Sequence, residues 1–419
     1  MAKKEVLSTK EHAKAIVDKI RENMSNISAL SASDNTMTGR IPTGILPIDR
    51  ALHGGISEGK LHIFAGNQHG GKSTTMMSLV GEFHKKYPEK LAVLIDSESA
   101  FPQKEGDKKS WAEHLGIDLE RLIILDGANN AEAVADAVDA VCQDLTVGLV
   151  VIDSIATLSS TVSLEESASQ ATYAGASKAI HRLISFWVTQ NGKRVRVDKH
   201  NKCTMLFINQ VRDQIGSHLP VKVLPNGKQQ AFIASDILMF SPKSTNKKLI
   251  TDPHTGMEIV EYSEHVIKFN KNREGGYPQE VPFIIKSLVD PDEAHPLKSN
   301  IHALVQLCKV MKEYSFLSVT SDGTVKISGW DVNFGSWDTF IENLKSDEDL
   351  VDYCSSLIIM VDRMRAGKTP IPPDGYLRCV TSGTAPEFVK ETVNRLGVMR
   401  ASSNAIKRRD NGLRKELGY

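Results

Sequence analysis

The sequence predicts an α/β chain: a core of parallel strands and covering helices, with a helical arm before it and a small α/β domain after it. Three observations carry this. From about Arg40 onward, short and wholly apolar runs alternate with helix-like stretches, the pattern of a parallel sheet covered on both faces. Ahead of them one amphipathic segment stands on a Ser-rich linker, and near Pro291-Asp292-Glu293 the pattern changes again. The 419 residues suit about two to three domains of ~150 residues.

Composition sets the outer limits. Apolar residues make up 41%, and the 29 glycines lift the total to about 48%, the ordinary globular range, which excludes a disordered tail protein. A chain of this length builds a core without cystine staples. Lys+Arg and Asp+Glu both number 51, which argues against a histone-like coat for nucleic acid or membrane and leaves room for a local basic groove. Cys142, Cys203, Cys308, Cys354 and Cys379 show neither a Cys-x-x-Cys pair nor metal-ligand spacing. They read as reduced thiols of a cytosol-like compartment. No run approaches the ~18 apolar residues of a spanning helix, so a soluble, cytoplasmic protein without a membrane partner is expected.

The elements follow in order. Ser8-Thr9-Lys10-Glu11 fits a capping box, and Ala13, Ile16, Val17, Ile20 and Met24 then recur at helical spacing. Ser25 to Thr38 is the linker. Leu61–Ala65, Leu91–Asp96, Leu122–Leu125, Gly148–Asp153 and Thr204–Ile208 read as buried strands, with helices over Ala131–Leu145 and Ala171–Val188 between them. A helix over Ile301–Lys312, a hairpin around Ser321-Asp322-Gly323 and a helix near Trp337–Lys345 make the small domain. Val361 to Tyr419 holds 12 Lys/Arg against 6 Asp/Glu, a basic tail. The expected divisions are an arm and linker at 1–39, a core at 40–289, the small domain at 290–360 and the tail at 361–419.

Ligands of parallel sheets bind at the carboxyl ends of the strands, and here those ends carry Gly66, Glu98, Asp153 and Gln210. Gly66-Asn67-Gln68-His69-Gly70-Gly71-Lys72-Ser73 matches G-x-x-x-x-G-K-[ST] between a strand and a helix. Such a loop wraps its backbone N–H groups around a β-phosphate at a helix N-terminus. Lys72 is placed to hold the β- and γ-phosphates and Ser73 to offer its hydroxyl to Mg²⁺, with Thr74 next in the helix. A chance glycine turn would lack the flanking strand and helix. Asp153 suits a magnesium-bound water, although taken alone it serves equally as a cap for the next helix. Glu98 is placed to polarise an attacking water; its bland alternative is a solvated loop carboxylate, and spacing alone does not decide.

These pieces, in this order, resemble the RecA-type recombinase family, including its phage-encoded UvsX-like members. The matching residues are Thr43-Gly44-Ile45-Leu46-Pro47-Ile48-Asp49-Arg50-Ala51-Leu52, the phosphate loop, Ile95-Asp96-Ser97-Glu98-Ser99-Ala100, Val151-Ile152-Asp153-Ser154-Ile155-Ala156-Thr157-Leu158 and Phe207-Ile208-Asn209-Gln210-Val211-Arg212. Similarity is strong from about Thr43 to Asp236 and weaker beyond. The resemblance implies a RecA-like P-loop ATPase core that uses ATP and Mg²⁺. It makes Glu98 the water-activating base and Gln210 the γ-phosphate sensor at the root of a second DNA-binding loop, about Val211 to Gln230. A first such loop falls at about Thr161 to Thr172. Trp111 sits where the family places an aromatic on adenine, a stacking contact of about 1–3 kcal/mol, although a core or surface tryptophan rivals that reading. Lys271-Asn272-Arg273 resembles paired cations that reach a neighbouring subunit's nucleotide; as a bare tripeptide it is a solvated turn.

Some features depart from the family. The second loop lacks the usual glycine cluster and carries Pro220, Lys222, Pro225 and Lys228. Phe101 to Ser110 reads as an insertion beside Glu98. Lys193, Arg194, Arg196, Lys199 and Lys202 form a basic stretch most simply read as a solvated hairpin. The C-terminal end is basic where bacterial members tend to end acidic. The implied function is an ATP-dependent recombinase that forms filaments on single-stranded DNA and exchanges strands with double-stranded DNA, with a loading or single-strand-binding protein as a further partner. A ring-forming helicase or motor on the same core is the first alternative, and a DNA-coating scaffold with little hydrolysis the second.

Overall fold

The computed structural model describes residues 9–23, 39–102, 106, 108–161, 174–198, 200–213, 222–225, 229–251, 256–275, 278–287, 293–328 and 333–368. In chain order the first elements are α1 (Thr9–Asn23), β1 (Arg40–Ile41), α2 (Leu46–Ala51), β2 (Ile56–Ser57), β3 (Leu61–Gly66), α3 (Lys72–Lys86), β4 (Leu91–Asp96) and α4 (Trp111–His114). Then come β5 (Leu122–Asp126), α5 (Ala131–Gln143), β6 (Val147–Asp153), α6 (Ala174–Val197), β7 (Thr204–Gln210), β8 (Arg212–Asp213), β9 (Lys222–Val223) and α7 (Gln229–Ile233). The last are β10 (Asp236–Thr251), β11 (Glu258–Asn272), β12 (Glu280–Lys286), α8 (Ile301–Glu313), β13 (Leu317–Val319), β14 (Val325–Ile327), α9 (Trp337–Ser346) and α10 (Glu348–Arg365).

The chain divides into two compact units. The first comprises Met1–Thr43, Ile56–Ser244 and His265–Pro282. An eight-stranded sheet has the order β12-β11-β10-β3-β7-β6-β4-β5, and each successive pair from β10 through β3, β7, β6 and β4 to β5 is parallel. The five strands legible in the sequence are present. The long β10 and β11, which its apolar runs do not mark, extend one side. Beneath the sheet α5 and α6 close a core that includes Ile63, Val150, Ile152, Leu183, Trp187 and Phe207. Each such side chain contributes about 1.5–3 kcal/mol by leaving water.

Two expectations are corrected here. β5 is not buried: Ile123 and Ile124 are 41% and 38% exposed, because β5 ends the sheet order and lacks a neighbour on one side. The helix expected to stop near Val188 runs on to Val197, so the basic stretch begins on a helix and not in a hairpin. Beyond Val188 its inward face is polar but satisfied: Gln190 donates to Asp139 at 2.7 Å, and Asn191 exchanges hydrogen bonds with Cys203.

The second unit comprises Gly44–Gly55, Thr245–Glu264 and Phe283–Tyr419. Its core gathers Leu304, Leu307, Phe316, Phe340, Leu344 and Leu357 from α8, the β13–β14 hairpin, α9 and α10. The hairpin and the first two helices match the sequence reading; α10 was not anticipated and continues through residue 360 to Arg365. Arg50, on α2, binds the Asp362 carboxylate at 2.6 Å and Tyr314 at 3.0 Å, and buried Arg363 donates to His53 O at 2.6 Å. The segment 44–55, part of the first family-like motif, thus folds with the C-terminal helices. Cys142, Cys203, Cys308 and Cys354 are buried free thiols. Cys379 and the tail from 369 lie outside the described residues. No helix among the described residues is long and apolar enough to cross a membrane.

Candidate nucleotide site

The parallel register brings the strand ends together. Gly66 on β3 is level with Gln210 on β7, and Asp96 on β4 with Asp153 on β6. β3 then enters the phosphate loop at Gly66, whose φ is 147° and whose missing Cβ would lie 2.0 Å from Phe240 O on β10. No other residue fits there. Gly71, at φ 92°, turns the chain into α3. No acidic side chain occupies the first turn of α3, so its positive end stays uncompensated and favours an anion. Asn67, Gln68, His69 and Ser73 are exposed, Gly71 and Thr74 half-buried, and Gly70 buried. Buried Lys72 donates from Nζ to Asn67 O at 2.7 Å and to Gly66 O at 3.4 Å. Burial lowers its pKa, against the pull of Asp153 and Glu98.

Around this loop the carboxylates converge. Ser73 Oγ donates to Asp153 Oδ2 at 3.1 Å. Burial raises the Asp153 pKa to about 6; the Ser73 hydrogen bond and Lys72 oppose the rise, and Glu98 and Asp96 add to it. Two hard oxygen donors, one on a carboxyl that a nearby cation would help to ionise, fit Mg²⁺. Glu98 Oε1 accepts from Gln210 Nε2 at 2.9 Å and from Ser154 Oγ at 2.6 Å. Lys72, Ser73, Asp153, Glu98 and Gln210, spread over 139 positions of sequence, therefore form one group.

Two residues that hold this group in place escape a reading by motif roles. The buried Asp96 carboxylate accepts the backbone N–H groups of Glu98, Ala100 and Phe101 at 2.8–3.1 Å, which fixes the turn that presents Glu98. Ser97 Oγ donates to Ser154 O at 2.9 Å, accepts from Ser154 N at 2.8 Å and meets Thr157 Oγ1. It thereby ties the Glu98 turn to the segment after Asp153. An Asp and a Ser just past a strand carry the ordinary signal of a turn-forming pair. Nothing local in the sequence identifies the Ser97 partner, Ser154, 57 residues away.

Other expected site residues stand apart from this group. Trp111 is half-buried and opens α4, whose Ser110–Glu113 capping box is complete. α4 lies against α3, where a Cβ on Gly81 would sit 2.0 Å from Leu115 O. Lys271 donates to Ala231 O and Phe232 O at 2.7 and 2.8 Å, and Arg273 to Phe232 O at 2.6 Å, so both hold the end of α7. Burial, and then Arg273, lower the Lys271 pKa. The second loop has a hairpin base, with Arg212 opposite Val223 and Asp213 opposite Lys222. Its residues 214–221 and 226–228, and 162–172 of the first loop, lie outside the described residues.

The chain is similar to known proteins. The family model described as the RecA N-terminal domain matches residues 11–268. A RecA protein of Mycoplasma genitalium is 29% identical over 218 residues, 52% of this chain and 59% of the relative. One from Picosynechococcus is 25% identical over 236 residues, 56% of this chain and 63% of the relative. The chain thus spans little more than half the length of these relatives. A crystal structure of the RadB recombinase aligns with a TM-score of 0.38 and 18% identity, over 59% of this chain and 96% of that one.

Proposed function

The chain belongs to the RecA family, and from that premise we propose that it is a DNA-dependent ATPase: a recombinase that assembles on single-stranded DNA and pairs it with a homologous duplex. The observation that carries the reading is the shared contact of Glu98 Oε1 with Gln210 and Ser154, beside Lys72, Ser73 and Asp153. It puts a base and a polar amide in direct contact at the mouth of a phosphate loop.

In this reading the loop backbone and Lys72 hold the ATP phosphates, Lys72 exchanging the Asn67 carbonyl for phosphate oxygens. Ser73 and Asp153 hold Mg²⁺, which when bound neutralises phosphate charge. Glu98 turns from Ser154 and Gln210 toward a water and accepts its proton. Gln210, released from Glu98, follows the γ-phosphate and carries that state into the second loop. Trp111 stacks on the adenine. Lys271 and Arg273, parked on α7 in the single chain, reach the nucleotide of a neighbouring subunit in a filament, so that hydrolysis depends on assembly. The setting is a bacterial or phage-infected bacterial cytoplasm, with loading or single-strand-binding proteins as partners.

The test is ATP hydrolysis with and without single-stranded DNA. The reading expects DNA to raise the rate strongly and Glu98→Gln to lower the stimulated rate on the order of 10²–10⁴-fold. A rate that ignores DNA in the wild-type chain contradicts it and favours a DNA-independent ATPase.

A further inference from the structure

Neighbouring residues of a strand point to opposite faces, and at the end of β7 both faces are engaged. Gln210 bonds Glu98 in the nucleotide site. Asn209, fully buried, donates from Nδ2 to Gln230 Oε1 at 3.2 Å on α7. Gln230 is 1% exposed, and its Nε2 donates in turn to Pro225 O, just past β9. One buried amide thus touches the strand that enters the second loop and the segment that leaves it. The same short helix offers the carbonyls of Ala231 and Phe232 on which Lys271 and Arg273 rest.

Stability alone does not explain two amides at this place. Asn209 Oδ1 is buried without a hydrogen-bond partner among the described residues. A half-satisfied amide pair in a core stabilises less than two packed apolar side chains would. Its directional bonds do set the relative position of β7, Pro225 and α7, which packing alone would leave less defined. We infer that the Asn209–Gln230 pair is a positioning device that couples the nucleotide site to the second loop: it converts the state of Gln210 at the end of β7 into the position of the loop root and of α7. The inference rests on the proposed DNA-dependent hydrolysis.

The test compares full-length wild type with Gln230→Leu, with Asn209→Leu/Gln230→Leu, and with the exchanged pair Asn209→Gln/Gln230→Asn. Each is assayed for hydrolysis with and without single-stranded DNA, for the KM for ATP and for thermal melting. The double leucine variant removes both polar partners together and keeps the fold close to wild type in stability. Both leucine variants are expected to hydrolyse ATP without DNA within about twofold of wild type at unchanged KM, and to lose about tenfold of the DNA-stimulated rate. The exchanged pair restores an amide–amide contact and recovers most of that loss.

A second readout needs no DNA. ATP is expected to change the rate of tryptic cleavage at Arg212 and Lys222 in the wild type, and that change is expected to disappear in the leucine variants. Full DNA stimulation in both leucine variants overturns the inference, as does a parallel fall of basal and stimulated rates with the melting temperature, the mark of a purely structural role. A wild-type chain whose hydrolysis ignores DNA overturns the functional reading itself, and the coupling with it; that failure is seen in the wild type before any variant.

Discussion

Two groups of cations near helix C-termini look alike in sequence and differ in structure. Arg194, in the basic stretch 193–202, is 2% exposed and makes six hydrogen bonds, to the carbonyls of Cys142, Asp144, Leu145, Val147 and Asn201 and to Asn201 Oδ1. Among the described residues, the side chains of Lys271 and Arg273 share the carbonyls of Ala231 and Phe232, at the end of a five-residue helix. Arg194 has its donors committed inside one subunit, where it holds the turn between α5 and β6. Lys271 and Arg273 keep donors in reserve where the chain meets solvent. Charge runs in sequence do not separate these cases; the number of acceptors and the burial do.

The largest expected effect is on folding. Arg194→Ala strands several buried carbonyls and should cost about 3–4 kcal/mol, read as a fall in denaturant midpoint at constant m. Its hydrolysis per folded molecule should be unchanged at permissive temperature, and a selective loss of DNA-stimulated rate would break the contrast. Lys271→Ala is its mirror: the melting temperature should hold, while the DNA-stimulated rate falls on the order of 100-fold.

A third basic side chain sharpens the point. His84 is 1% exposed, and its Nδ1 accepts from Asp118 N at 3.1 Å. Burial, and then Arg121, push its pKa down to about 4 from 6.5, against Asp118. The unfolded chain therefore binds this proton more readily than the fold. The contribution is present above pH 6.5 and is lost as pH falls toward about 4, on the order of 2 kcal/mol. Denaturation midpoints across that range should flatten in His84→Leu. The smallest effect belongs to Ser97→Ala, which frees the Glu98 turn from the segment after Asp153. A fall of about tenfold in kcat at unchanged KM for ATP is expected, because positioning is lost and binding is not.

Much of this was legible in the sequence because its signals are local. The phosphate loop, the apolar strands that lead to Asp96, Asp153 and Gln210, and the α5, α8 and α9 helices each declare themselves within a dozen residues. The strand-end rule and the family resemblance place Glu98 and Gln210 at the same site, but their direct contact, 112 positions apart, was not legible. The rest depended on tertiary context. The helix was expected to stop at Val188 and the stretch holding Arg194 to form a solvated hairpin, yet the partners of Gln190, Asn191 and Arg194 on α5 and around Cys203 lie across the core. Ile123 and Ile124 read as buried because sequence does not reveal which strand lies at an edge. Gln230 read as the end of a loop, since nothing nearby announces Asn209.

The central claim is that one subunit's cations complete the site of the next, and mixing two inactive variants tests it most directly. Glu98→Gln lacks the base but keeps Lys271; Lys271→Ala keeps the base but lacks the cation. In random filaments on single-stranded DNA, equal amounts should restore about a quarter of the wild-type interfaces, each with Glu98 from one subunit and Lys271 from its neighbour. DNA-stimulated hydrolysis should then rise well above that of either variant alone. A mixture no more active than its components would contradict the account and return Lys271 to a structural cap on α7.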